Sequence, residues 1–192
     1  MDEYTPLLEF LHRLQPLDEI EKKEIRSFFE PAIYKKGEYI SEYGKVNDKL
    51  TFVQQGFCRV YVIDLEGNEV TIHMAGNVDF VGAISSFLTQ KPSEEYVQAV
   101  TDAVVLNIGY RKLQELYQLR PKWERIGRMI MEALFLRKQQ RVISFINETA
   151  ETRYRNLMER KPDMLLNVPN QYTASFLGIK PETLSRIRSR IS

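Results

Sequence analysis

Asn170 to Ser189 reads NQYTASFLGIKPETLSRIRS, and its spacing predicts two short helices joined by a tight turn. With Gly178 at the turn, Ala174 falls four residues earlier, where the helices cross and only a small side chain fits. Leu177, Ile179, Leu184 and Ile187 take the positions that pack one helix against the other. Pro181 and Glu182 open the second helix, with proline in the first turn, where a missing N–H costs nothing. Helix, glycine turn and helix in about twenty residues is the unit whose second helix enters the major groove of DNA.

The outer face of that second helix carries Lys180, Glu182, Thr183, Ser185, Arg186 and Arg190. Arg186 has the paired donors that match guanine, and Glu182 can accept from cytosine N4. Lys180, Arg188 and Arg190 are suited to phosphates, which position a protein without reading sequence. Gln171 and Thr173, on the first helix, complete the candidate DNA-contacting set. The competing reading is a helical hairpin with basic ends. The small residue at 174, the glycine at 178 and the polar outer face weigh against it.

The charge distribution points the same way. Residues 1–110 hold 10 Lys and Arg against 18 Asp and Glu, a net of −8, whereas residues 111–192 hold 17 against 8, a net of +9. The formal total of +1 therefore conceals an acidic half joined to a basic half, as expected when one module meets a polyanion. A basic solvated helix surface would give the same numbers, so charge alone does not decide.

Moving back along the chain, Ile143, Ile146, Ala150, Tyr154 and Leu157 set one helical face, ended by Lys161-Pro162. Before it, Pro121 starts a long helix with two apolar stripes. Trp123, Ile126, Gly127, Ile130, Met131 and Leu134 form the first; Met129, Ala133, Leu136 and Ile143 form the second. A helix serving only its own domain needs one stripe. A second copy of the chain is the simplest partner for the other, and the Trp123 to Leu134 stripe is assigned to that dimer interface. A central helix enclosed by one chain is the alternative.

Between about Ala32 and Ile108 the texture is that of short strands: Thr51 to Val53, Val60 to Ile63, Val70 to Ile72, Val97 to Val100 and Val104 to Ile108, with glycines between them. This predicts an antiparallel sandwich or barrel, with Glu66-Gly67-Asn68 as a hairpin turn. Ahead of it, Leu7, Leu8, Leu11 and Leu14 recur at helical spacing, and Asp18 is placed to cap a second helix through Ile20, Ile25, Phe28 and Phe29.

Composition excludes several classes. The chain has 43% hydrophobic and 28% charged residues, ordinary for a globular protein. No apolar run reaches the ~18 residues of a membrane span, and the acidic start MDEYTPLLEFLHRL is unlike a signal peptide. A cytoplasmic location is expected, in keeping with the single cysteine, Cys58. His12, His73 and Cys58 have no metal-ligand spacing, and no nucleophile elbow or catalytic triad is visible. No enzyme, cofactor, metal or membrane role is expected.

Short helices, a glycine-punctuated β-roll, a long helix and a helix-turn-helix, in that order, resemble the CRP/FNR transcription regulators over essentially the whole chain. The resemblance is sharpest at Gly178-Ile179-Lys180-Pro181-Glu182-Thr183-Leu184-Ser185-Arg186-Ile187, similar to the family's recognition helix. It is also sharp at Val78-Asp79-Phe80-Val81-Gly82, similar to the stretch G-D-F-x-G that leads into the cyclic-nucleotide phosphate cassette. It implies an α+β architecture in three parts: an N-terminal antiparallel β-roll of the jelly-roll-like, cyclic nucleotide-binding kind over 1–118, a dimerisation helix over 119–140, and an all-α helix-turn-helix domain over 141–192. It further implies an effector pocket at Phe80, Val81, Gly82, Ala83, Ile84, Ser93, Glu94 and Glu95, and as partners double-stranded DNA, a second copy, an unidentified small-molecule effector and RNA polymerase.

Two departures stand out. The cassette's glutamate, which holds the ribose, is replaced by Ala83. Its arginine, which neutralises the phosphate, is replaced by Ser93 with Glu94 and Glu95 following. Losing a charge-assisted bond to a phosphate forfeits ~1.5–3 kcal/mol, and added carboxylates repel an anion; weak or no cyclic AMP binding is expected. The family's β-hairpin wing is also not expected within residues ending at Ser192, and Arg153, Arg155, Arg160 and Lys161 are the candidates to replace its phosphate contacts. The rival reading of the whole chain is a ligand-sensing or scaffold dimer that has lost DNA function.

Overall fold

The computed structural model describes residues 2–191. Two short helices come first, α1 (Thr5–Leu14) and α2 (Glu19–Phe28). Asp18 caps α2: its side chain accepts from the Glu21 N–H at 2.8 Å, while the Glu21 carboxylate accepts from the Asp18 N–H at 2.9 Å. This reciprocal pair satisfies two amides that a helix start leaves open.

Eight strands follow: β1 (Glu30–Tyr34), β2 (Tyr39–Ser41), β3 (Lys49–Gln55), β4 (Cys58–Ile63), β5 (Glu69–Ala75), β6 (Asp79–Val81), β7 (Tyr96–Ala99) and β8 (Ala103–Gly109). They form two antiparallel sheets, ordered β1-β8-β3-β6 and β2-β7-β4-β5. The period of two decides what each residue faces. Leu50, Phe52, Leu106 and Ile108 point away from the second sheet into a core made with the helices. Val53, Ala103 and Val105 point the other way, into the layer between the sheets. Strands β3 and β8 are therefore buried on both faces, which is why they read as apolar runs.

Strands β1, β2 and β6 carry no such signal. Each lies at a sheet edge, and β2 and β6 have only three residues apiece. Edge strands hold less apolar surface, and Pro31 in β1 is tolerated there because one side of an edge strand needs no N–H donor. The predicted hairpin turn joins β4 to β5: Gly67 has φ +86°, and the Asp64 carboxylate accepts from the Asn68 N–H at 2.8 Å.

The remaining chain is helical: α3 (Ile84–Thr89) between β6 and β7, then α4 (Tyr110–Leu119), α5 (Pro121–Asn147), α6 (Ala150–Arg160), α7 (Pro162–Asn167), α8 (Asn170–Leu177) and α9 (Pro181–Ile191). Helix α5 runs unbroken past position 140, so the expected boundary between dimerisation helix and C-terminal domain falls inside one element. Ile143 and Ile146 consequently belong to α5, not to the helix of Tyr154, and both are exposed.

The stripe assigned to a dimer interface is corrected by the packing. Trp123, Ile126, Ile130 and Leu134 are buried in the chain's own core, among Leu7, Leu11, Ile25, Leu113 and Leu116 of α1, α2 and α4, with Met131 packed against its margin. The Trp123 indole donates to Glu24 at 2.7 Å. Gly127 is pressed so closely on Tyr117 that a Cβ would overlap the phenol. The three short helices thus cover this stripe. The second stripe is the open one: Leu136 and Ile143 are exposed, as are the neighbouring Phe135, Val142 and Ile146.

The C-terminal helices have a core of Tyr154, Leu157, Met164, Ala174, Leu184 and Ile187, which Phe57, Met74 and Val100 of the sheet region join. One apolar cluster therefore spans the β-roll and the helix-turn-helix.

Candidate nucleic-acid interface and effector pocket

Helices α8 and α9 meet around Gly178, which is left-handed at φ +69°. The Gly178 N–H donates to the Ser175 carbonyl at 3.1 Å and the Ile179 N–H to the Ala174 carbonyl at 3.0 Å, closing α8 in the manner of a Schellman cap. Ala174 is fully buried at the crossing, with Leu177, Leu184 and Ile187 packed around it. The Lys180 carbonyl accepts from the N–H groups of Thr183 and Leu184 and starts α9. Lys180, Glu182, Ser185, Arg186 and Arg190 are exposed along its outer side. Thr183 is half-buried and accepts from Arg186 at 3.2 Å.

Other candidate contacts are placed differently. Gln171 is exposed, but Thr173 is fully buried and out of reach of any DNA, because its side of α8 faces the shared core. Arg188 turns inward, donating to Asn170 at 2.6 Å. Of the four basic residues expected to replace a wing, Arg153 donates to the carbonyls of Leu177 and Glu148, Arg155 pairs with Glu151 and Lys161 pairs with Asp79. Arg160 alone of the four is exposed without an ion pair among the described residues.

Helix α8 docks on β5, the edge of the second sheet. Ser175 Oγ accepts from the Thr71 N–H at 2.8 Å and donates to the Glu69 carbonyl at 3.2 Å. It thereby satisfies edge groups that a neighbouring strand would otherwise engage. Arg141 donates to the carbonyls of Phe176 at 2.6 Å and Thr71 at 3.0 Å, tying α5 to both partners. Burial, with Arg153 adding, pushes its guanidinium down to about 10. Arg59 is buried with its guanidinium 4.1 Å from the Tyr61 ring and 3.8 Å from that of Tyr172, and it donates to Gln98 and Glu69. Sequence reasoning missed these residues, since their partners lie up to 106 positions away.

The predicted effector pocket is nearly closed. Phe80, Val81, Gly82 and Ile84 line a cavity of about 20 Å³ with Val60, Ile72, His73, Leu134 and Lys138. That is room for about one water, against ~300–1,000 Å³ for a small-molecule site. Ala83 is buried, its carbonyl accepting from the Asn47 amide at 3.3 Å. Ser93 is buried in a turn, donating to the Glu95 carbonyl and accepting its N–H. Glu94 is exposed and Glu95 half-buried; burial pushes the Glu95 carboxyl up, with Lys138 opposing. Ala83, Ser93, Glu94 and Glu95 stand outside the cavity lining.

Two titratable groups beside this cavity matter more than the cassette positions. Asp79 accepts from Arg137 at 2.8 and 2.9 Å and from Lys161 at 3.0 Å. Burial opposes its charge, but the two cations prevail and hold the carboxyl below its ordinary value. His73 Nε2 is enclosed with no hydrogen-bond partner among the described residues. Burial pushes this imidazole down to about 4, Asp79 notwithstanding. Val78 precedes this pair with φ +59°, where the similar family stretch has glycine, the residue best suited to that conformation.

Comparison with known proteins accords with this architecture. Residues 32–120 match the cyclic nucleotide-binding domain family. The cAMP-activated global transcriptional regulator CRP of Salmonella typhimurium is 23% identical over 154 residues, covering 75% of this chain and 73% of that protein. Among solved structures, FixK2 from Bradyrhizobium japonicum superposes with a TM-score of 0.75 at 17% identity, covering 85% of this chain and 84% of its own. The c-di-GMP responsive global regulator CLP of Xanthomonas campestris gives 0.70 at 18% identity, with 91% of each chain covered. The structural likenesses establish the fold, and no helix among the described residues is long and apolar enough to cross a membrane. With a stretch matching the cyclic nucleotide-binding domain, a long connecting helix and a helical C-terminal domain in that order, the chain is similar in sequence and fold to regulators of the CRP/FNR kind.

Proposed function

We propose that this chain is a homodimeric, sequence-specific DNA-binding transcription regulator whose input is not a cyclic nucleotide. The observation that carries the reading is the open outer side of α9. Lys180, Glu182, Ser185, Arg186 and Arg190 face solvent there while Leu184 and Ile187 anchor the opposite side. Guanidinium, carboxylate and hydroxyl groups in that arrangement match base edges and phosphates in a major groove. The exposed Phe135, Leu136, Val142, Ile143 and Ile146 of α5 are the apolar surface on which a second copy would pack. Two recognition helices then meet successive major grooves ~34 Å apart on a partly palindromic site. DNA, a second copy and RNA polymerase are its partners in the cytoplasm.

Two observations support an input other than cyclic nucleotide. Ala83 and Ser93 replace the groups that hold ribose and phosphate, and the cavity beside β6 measures about 20 Å³. Titration calorimetry with cyclic AMP is expected to give no micromolar binding.

The deciding experiment is selection of binding sites from random duplex DNA. The wild-type chain should recover a motif with two related halves. Arg186→Ala should relax the preference at one position per half and weaken binding by ~1–3 kcal/mol. Recovery of no motif would remove this reading in favour of a sensing or scaffold dimer.

A further inference from the structure

A cavity of about 460 Å³ lies between β5, the C-terminal half of α5 and α6, a size typical of small-molecule sites. It shares only β5 and α5 residues with the small cavity beside β6. Part of its wall is apolar, from Ile72, Met74, Leu157 and Leu177. Its charged part is strongly cationic: Arg137, Lys138, Arg141, Arg153, Arg160 and Lys161 against a single acid in the lining, Glu148. Asp79, outside the lining, pairs with Arg137 and Lys161, so six cations meet two acids. Arg141 and Arg153 spend their donors on backbone carbonyls and lie over the Phe145 ring, Arg141 over Phe176 as well, so neither has a carboxylate partner among the described residues. Lys138 and Arg160 are exposed and form no ion pair among the described residues. His73, also in the lining, adds an enclosed Nε2 without a hydrogen-bond partner among the described residues. Like charges gathered on a half-enclosed wall repel unless an anion joins them.

We propose that this cavity binds a small organic anion, with one or two phosphate or carboxylate groups on a compact apolar body. Its walls come from β5 and from Phe176 and Leu177 of α8, so an occupant holds the docked α8–β5 arrangement. It does so by the difference in its affinity for the docked and undocked states. The site stands whether or not α9 reads DNA.

The test is titration calorimetry of the full chain with inorganic pyrophosphate, citrate and adenosine diphosphate, which separates phosphate from carboxylate and bare anion from anion with an apolar body. At least one should bind with Kd below about 100 µM, and Lys138→Gln with Arg160→Gln should weaken it about 10–100-fold. Lys36→Gln, which loses one charge as Arg160→Gln alone does but on the exposed loop between β1 and β2, should leave the Kd unchanged. Arg160→Gln alone keeps the test open if the double variant is poorly folded. Hydrogen exchange at the Thr71 amide, which donates to Ser175, should slow when the best probe is present. No binding at about 1 mM, or equal binding to the wild type and the Arg160→Gln and double variants, overturns the site. Unchanged Thr71 exchange overturns the holding of α8.

Discussion

Asp79 is where the β-roll, the long helix and the C-terminal domain are joined by charge, and Asp79→Asn isolates that join. The substitution keeps side-chain size and leaves an oxygen for the Phe80 N–H, which donates to Asp79 at 2.9 Å. It removes the one negative charge bonded, among the described residues, to Arg137 of α5 and Lys161 between α6 and α7. Removing one partner of a fully buried pair costs ~3–5 kcal/mol. Here the carboxylate is buried, but the Arg137 and Lys161 side chains are 39% and 36% exposed. Water screens them and lets them swing outward, so about 2 kcal/mol is expected. With a urea m-value of about 2 kcal/mol/M, the midpoint should fall by about 1 M. Lys161→Met and the double variant complete a cycle whose coupling should be about 1 kcal/mol. The Asp79 carboxyl lies below its unfolded value of 3.8 in the folded chain. Its stabilisation is therefore complete above about pH 4 and lost as pH falls through the folded value, and the variant should converge on wild type there. A midpoint unchanged at neutral pH, or a cycle without coupling, would refute the reasoning.

The remaining predictions concern His73, the α8–α9 turn and the open face of α5. The His73 imidazole titrates at about 4 when folded against 6.5 unfolded, so the unfolded chain takes up its proton first. Stability is untouched above about pH 6.5, falls by about 3 kcal/mol as pH drops toward 4, and then levels off. Glu95, raised by burial, acts in the opposite sense over part of that range. The quantity to measure is thus the difference between wild type and His73→Gln in denaturant midpoints from pH 7 to 4, and a constant difference would contradict the burial argument. Gly178→Ala places a Cβ at φ +69° against the Phe145 ring; it should cost about 1–2 kcal/mol, and Gly178→Asn should cost less because asparagine tolerates that backbone. Equal losses would show that the ring contact, not the backbone, sets the cost. Leu136→Glu should raise the dimer dissociation constant in sedimentation at least about tenfold without lowering thermal stability of the monomer, since Leu136 is 57% exposed; an unchanged constant would move the interface elsewhere.

Much of the local design was legible in residue order. Ala174, Gly178 and Pro181 stand within eight positions of one another, so crossing, turn and helix start are settled by neighbours, as is the Asp18–Glu21 cap. The stretches Thr51 to Val53 and Val104 to Ile108 likewise announced strands, though not that both of their faces are buried. Periodicity reveals that a face is covered but never by what. The Trp123 stripe looked like a surface for a second copy because nothing in α5 names α1, α2 and α4 as its cover. Thr173 looked available because its burial depends on how α8 sits against the rest of the fold. Asp79 and Lys161 are 82 positions apart, and the closed cavity beside β6 depends on Leu134 of α5 as much as on the cassette itself. Short-range geometry is written in neighbouring residues, whose backbones constrain each other directly. Which distant surfaces meet is decided by tertiary packing, because shape and charge complementarity between segments exist only once both have folded.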